Sequence, residues 1–108
     1  MKVFSLLSAA IAAFALSAPA TAQDVEAAQK LLKAENCTKC HSVDKTKKGP
    51  AYQKVAAKYK GKADAEAKLT EFLTSTPKVK LEDGTEEEHK ALKDSKQINN
   101  IIKWVLAQ

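Results

Sequence analysis

The chain has 108 residues, room for one modest domain, and carries 18 lysines against 13 acidic residues for a formal charge of +5. Arginine is absent, which argues against nucleic-acid recognition, where the bidentate guanidinium is the usual tool; the lysine excess suits a solvated surface or docking on an acidic partner. With only 6% aromatic residues, a domain this small is expected to need a disulfide, a metal or a large cofactor as a staple.

Met1-Lys2 leads into an apolar stretch from Val3 to Ala18 and then Pro19-Ala20-Thr21-Ala22-Gln23, the pattern of a secretory signal peptide. The run falls short of the ~20 residues a membrane-spanning helix requires. Residues 1–22 are therefore read as a cleaved signal, and residues 23–108 as a single exported domain with no membrane anchor left after cleavage. Asp24 is the expected N-cap of a first helix reaching about Glu35, with Val25, Ala28, Leu31 and Leu32 at helical spacing. The helix ends where Cys37-Thr38-Lys39-Cys40-His41 begins.

Gly49-Pro50 marks a loop, after which Tyr52, Val55, Ala56 and Tyr59 fall on one helical face that Gly61 terminates. Asp64 opens a third helix with Ala67, Leu69, Phe72 and Leu73 as its apolar side and Pro77 behind it. Thr76 to Gly84 reads as a polar loop. Thr85 and Glu88 match a capping box, which predicts a short helical turn carrying His89 at its beginning. Asp94 with Gln97 gives a second such signal, opening a final helix with Ile98, Ile101, Ile102 and Val105 on one stripe, widened by Trp104 and Leu106. No alternating stretch is long enough to require a strand, so the predicted fold is all-α, four to five short helices wrapped around the group that staples the core.

Cys37-Thr38-Lys39-Cys40-His41 is the C-x-x-C-H pattern of covalent haem attachment. Two thiols three residues apart reach the two vinyl groups on one edge of the macrocycle, and the adjacent histidine is delivered to the iron as an axial ligand. Three other readings use the same residues. A thioredoxin-like redox pair sits beside strand-helix-strand units that this chain lacks. A zinc site drawn from Cys37, Cys40, His41 and His89 requires neighbouring residues to bend toward one ion. A Cys37–Cys40 disulfide closes a small, strained ring.

With these residues on the page, the chain resembles the short monohaem class I cytochromes c of bacterial periplasms across nearly all of residues 23–108. Gly49-Pro50-Ala51-Tyr52 and Val55-Ala56-Ala57-Lys58-Tyr59 are similar to the loop and helix after the haem motif in that family. Lys103-Trp104-Val105-Leu106-Ala107-Gln108 is similar to its terminal helix. The resemblance implies that Cys37 and Cys40 hold one haem c by thioethers and that His41 is the proximal iron ligand. It also implies that the Pro50 carbonyl accepts the His41 N–H, and that the last helix crosses the first.

One position departs from the family. Its usual sixth ligand is a methionine from the long loop before the last helix, but the only methionine here is Met1, which leaves with the signal. His89 lies near the place of that methionine and is the expected distal ligand, giving bis-histidine coordination. The alternatives are a deprotonated Lys78 or Lys80, or a site open to water and small gases; nothing in the sequence lowers a lysine pKa there. Imidazole in place of a thioether lowers the reduction potential, and the acidic run Glu86 to Glu88 adds to this in the same direction, weakened by solvent screening.

The expected function is thus one-electron transport in the periplasm by a monomer that is not an enzyme, exchanging electrons with redox partner proteins. Lys39, Lys45, Lys47 and Lys48 surround the haem motif and would bias docking toward acidic surfaces. Two other functions remain open: a gas-binding haem sensor with a weak or absent sixth ligand, and the haem subunit of a larger periplasmic oxidoreductase.

Overall fold

A computed structural model describes residues 24–108, so the signal-peptide reading of residues 1–22 lies outside the described residues. Helix α1 spans Val25–Ala34, α2 Tyr52–Tyr59, α3 Ala65–Thr74 and α4 Ser95–Leu106, and a 3₁₀ turn covers Cys37–Lys39. The all-α expectation is met in the four helices of the described residues, which begin where the caps and periodicity place them: after Asp24, at Tyr52, and after Asp64 and Asp94. Asp24 and Asp94 cap α1 and α4 as expected, each carboxylate accepting from the amide three residues on at 3.0 Å.

The stripes of α1 and α4 meet in the core. Ala28, Leu31 and Leu32 pack with Ile98, Ile101, Ile102 and Trp104, joined by Tyr52 from α2 and Leu92, while Leu69 and Leu73 of α3 lean against the cluster. Val25, 47% exposed, stays outside it. Asn100 fastens the two terminal helices together. Its Oδ1 accepts from the Asp24 amide at 2.6 Å, and its Nδ2 donates to the Asp24 carbonyl at 2.8 Å. This settles the crossing of first and last helices with hydrogen bonds as well as apolar contact.

The segment before His89 differs from its sequence reading. Glu86–Glu88 forms strand β2 rather than a helical turn, and pairs antiparallel with strand β1, Lys78–Lys80, inside the stretch read as a loop. Asp83 takes the role assigned to Thr85: its Oδ1 accepts from the Thr85 amide at 2.9 Å and from its hydroxyl at 2.6 Å. Gly84, at φ 86°, makes the left-handed turn that closes the hairpin. Charge favours the ladder too, because a helical turn would crowd three carboxylates, whereas the ribbon sets Glu86 opposite Lys80 and Glu88 opposite Lys78.

Candidate haem site

The site is assembled by two segments that approach from opposite ends of the chain. Asn36 stops α1 in the left-handed conformation, φ 57°, and turns the chain into the 3₁₀ turn that carries both cysteines. The amides of Cys40 and His41 both donate to the Cys37 carbonyl, at 3.2 and 3.0 Å. This compact turn holds Cys37, Cys40 and His41 on one short arc. Both cysteines are partly buried, and Cys37 packs against the core. Burial, followed by the nearby Glu35 carboxylate, pushes the Cys37 thiol pKa up.

The loop after the motif folds back over it. Gly49 donates to the Cys40 carbonyl at 2.8 Å, and the first amides of α2, Tyr52 and Gln53, donate to Ser42 and Val43 at 2.9 and 3.0 Å. These carbonyls cap α2, which has no capping side chain. The loop thereby presents the Pro50 carbonyl to His41, whose Nδ1 donates to it at 2.7 Å. A carbonyl only accepts, so the proton sits on Nδ1 and Nε2 keeps its lone pair.

Gly49 and Tyr52 complete the seat of that ring, and sequence reasoning assigned neither to the site. A Cβ at Gly49 would lie 2.8 Å from His41 Cε1, so only glycine leaves room for the imidazole. Gly49→Ala is expected to displace the ring and cost about 1–3 kcal/mol by forced overpacking, read as a lower midpoint in denaturant. Tyr52 stacks on His41 with centroids 4.9 Å apart and planes 20° apart, and meets Trp104 edge-on at 5.4 Å. Burial, ahead of the neighbouring thiols, pushes the Tyr52 phenol well above its usual pKa, so it stays neutral.

The second segment brings His89. Its amide donates to the Pro77 carbonyl at 2.8 Å as the last rung beside the ribbon, and the Leu92 amide donates to Leu73 on α3 at 2.8 Å. Lys90 reaches Glu35 at the end of α1, 2.7 Å away. His89 is half-buried, not the solvated residue that its run of charged neighbours implies. Its Nδ1 donates to the Lys90 carbonyl at 3.0 Å, which again leaves Nε2 the lone pair. Burial lowers its pKa, against the opposing pull of that carbonyl, and favours the neutral imidazole a metal requires. Lys78 and Lys80 are exposed on β1.

Five rings thus form one continuous series: Phe72 lies 4.7 Å from His89, His89 6.2 Å from His41, His41 4.9 Å from Tyr52, and Tyr52 5.4 Å from Trp104. The widest gap falls between the two histidines. An imidazole nitrogen binds a first-row metal at about 2.0–2.1 Å with its ring centre ~1.1 Å behind, so two imidazoles across one iron have centres ~6.3 Å apart. The observed spacing matches, and with two thiols on the adjoining turn the residues fit a haem attached at Cys37 and Cys40.

The lysines around the motif are all exposed. Lys47 Nζ donates to the Thr38 carbonyl at 2.9 Å, and the Lys48 carbonyl accepts from Glu82 at 3.2 Å, which brings the acidic hairpin tip against this basic loop. Among the described residues no helix is long and apolar enough to cross a membrane.

Comparison with known proteins agrees with this site. The family model described as Cytochrome c matches residues 25–108. Cytochrome c-551 of Pseudomonas aeruginosa is 41% identical over 73 residues, 68% of this chain and 67% of that protein. The crystal structure of the class 1 cytochrome MtoD from Sideroxydans lithotrophicus ES-1 superposes with a TM-score of 0.77 at 53% identity, covering 80% of this chain and 97% of that one. Nitrosomonas europaea cytochrome c552 gives a TM-score of 0.60 at 26% identity, covering 72% and 95%. With that family match over residues 25–108 and a C-x-x-C-H turn at its centre, the chain belongs to the cytochrome c family, as a small class I member that carries one covalently bound haem c and transports electrons rather than catalysing a reaction.

Proposed function

We propose that this protein is a periplasmic, monomeric one-electron carrier with bis-histidine iron coordination and a correspondingly low reduction potential. Cys37 and Cys40 supply the thioethers, His41 the proximal ligand and His89 the distal one. The haem iron contributes the ferric–ferrous couple, and the chain's work is to hold two imidazoles in place through the change of charge. Pro50 and Lys90 do this by accepting from the two Nδ1–H groups at 2.7 and 3.0 Å, which sets the tautomer that offers Nε2. Ligands held by the protein on both sides keep reorganisation small, which is what rapid electron exchange demands.

The 6.2 Å spacing of the His41 and His89 rings carries the assignment. Near-infrared and electron paramagnetic resonance spectra of the ferric protein test it. The expected result is a low-spin bis-imidazole signature that His89→Ala converts to a high-spin species, with fast carbon monoxide binding appearing in the ferrous variant. A spectrum unchanged in His89→Ala removes His89 from the iron. Fast carbon monoxide binding by the unmutated protein would instead favour a gas-binding role.

Lys39, Lys45, Lys47 and Lys48 form the docking rim for partners with acidic surfaces. Reversing the charge of all four is expected to slow electron transfer to such a partner by about tenfold or more at low ionic strength, with the difference fading as salt is added. Equal rates in stopped-flow measurements at low salt would remove the rim from docking.

A further inference from the structure

We propose that Phe72 is the positioning residue that sets the plane of the distal imidazole, and through it the angle between the two axial ligands. The inference rests on His89 being the sixth ligand and extends it to a residue that touches no iron. The two histidine rings are held very differently. His41 is fixed from three directions: the Pro50 carbonyl at 2.7 Å, Tyr52 stacked at 4.9 Å, and the backbone of Gly49, whose missing Cβ site lies 2.8 Å from Cε1. His89 has a weaker hold. Its hydrogen bond goes to the carbonyl of the next residue, at 3.0 Å, and that acceptor moves with the same loop.

Among the described residues, the helix that reaches the His89 ring does so through Phe72, tilted 60° to it with centroids 4.7 Å apart. Phe72 stands on a firm support. Its neighbours on α3, Leu69 and Leu73, lean on the core, and the Leu73 carbonyl accepts from Leu92, three residues beyond His89, at 2.8 Å. Helix α3 thus carries both the wall and the tie for the distal segment. An edge-on aromatic contact has a preferred geometry, so Phe72 resists rotation of the imidazole about the bond from its Nε2 to the metal. Without it, the hydrogen bond to Lys90 still sets the tautomer but the plane is free to swing. The planes of His41 and His89 now cross at 54°.

That angle is readable by spectroscopy. Each imidazole donates into the metal d orbital perpendicular to its ring, so parallel planes split the two dπ orbitals and crossed planes bring them together. The lowest-field g value of the ferric protein therefore reports the angle, and its width reports how tightly the angle is held.

The experiment compares frozen-solution electron paramagnetic resonance of ferric holoprotein for the unmutated chain, Phe72→Tyr, Phe72→Leu and Phe72→Ala. Near-infrared spectra of the same samples check that both histidines are bound. The expected result is one narrow low-field line in the unmutated protein and in Phe72→Tyr. In Phe72→Leu and Phe72→Ala it shifts and broadens or divides, while the bis-imidazole near-infrared band persists. A low-field line unchanged in position and width in Phe72→Leu overturns the proposal and leaves the coordination standing. Absence of the bis-imidazole band in the unmutated protein overturns the coordination and this inference together. Phe72→Leu keeps most of the side-chain volume, so the comparison survives even if Phe72→Ala does not fold.

Discussion

Replacing both Cys37 and Cys40 with alanine yields a chain that carries no covalently bound haem: colourless after denaturing electrophoresis and haem staining, where the unmutated protein stains. The reason lies in how the group is held. Two imidazoles alone bind reversibly, and reversible binding stabilises a fold only as long as the free ligand exceeds its dissociation constant. Thioethers remove that dependence, because a tethered group cannot be diluted away. Stability of the double variant is therefore expected to vary with added haem, while that of the unmutated protein does not. The single variants keep one tether each and should remain coloured. A fully stained double variant would show that attachment occurs elsewhere in the chain.

His89→Met is expected to raise the reduction potential by on the order of 0.1 V, since axial ligation spans about 0.8 V across haem proteins and a methionine–histidine pair lies at the higher end. Imidazole stabilises the ferric ion more than a thioether does, so the exchange moves the couple toward the reduced form. Methionine is flexible enough to replace the imidazole beside Phe72. Redox titration of both proteins measures the change, and an equal potential would mean that position 89 is not at the iron. The acidic run before His89 is expected to contribute little, in keeping with the solvent screening its sequence implies. Glu86 and Glu88 stand opposite Lys80 and Lys78 across the ribbon, and all three carboxylates are exposed. Paired and solvated charges are heavily screened, so changing Glu86, Glu87 and Glu88 together to glutamine should shift the potential much less than His89→Met.

Residues close together in the chain made much of this protein legible. The C-x-x-C-H turn is a local device: one 3₁₀ turn sets its three side chains, so its spelling was enough to point to the cofactor. The capping aspartates and apolar stripes of α1 and α4 were equally readable, because helical periodicity is a property of neighbours three and four residues apart. Residues 24–108 contain no methionine, which withdrew the usual ligand from the described fold. The local signal misled at Val25, which stays exposed, and from Thr76 to Glu88, where the expected loop holds a strand and an apparent capping box lost to the Asp83–Gly84 turn and to the lysines of that strand.

What the tertiary structure decided lies between segments far apart in sequence. The spacing of His41 and His89, the half-burial of His89 amid charged neighbours, the glycine that makes room for the proximal ring and the phenylalanine against the distal one all depend on where α2, α3 and the ribbon come to rest. Periodicity assigns a residue to a face but not to its neighbour across the core. That pairing is set by packing, in which every side chain's position depends on the volumes of all the others.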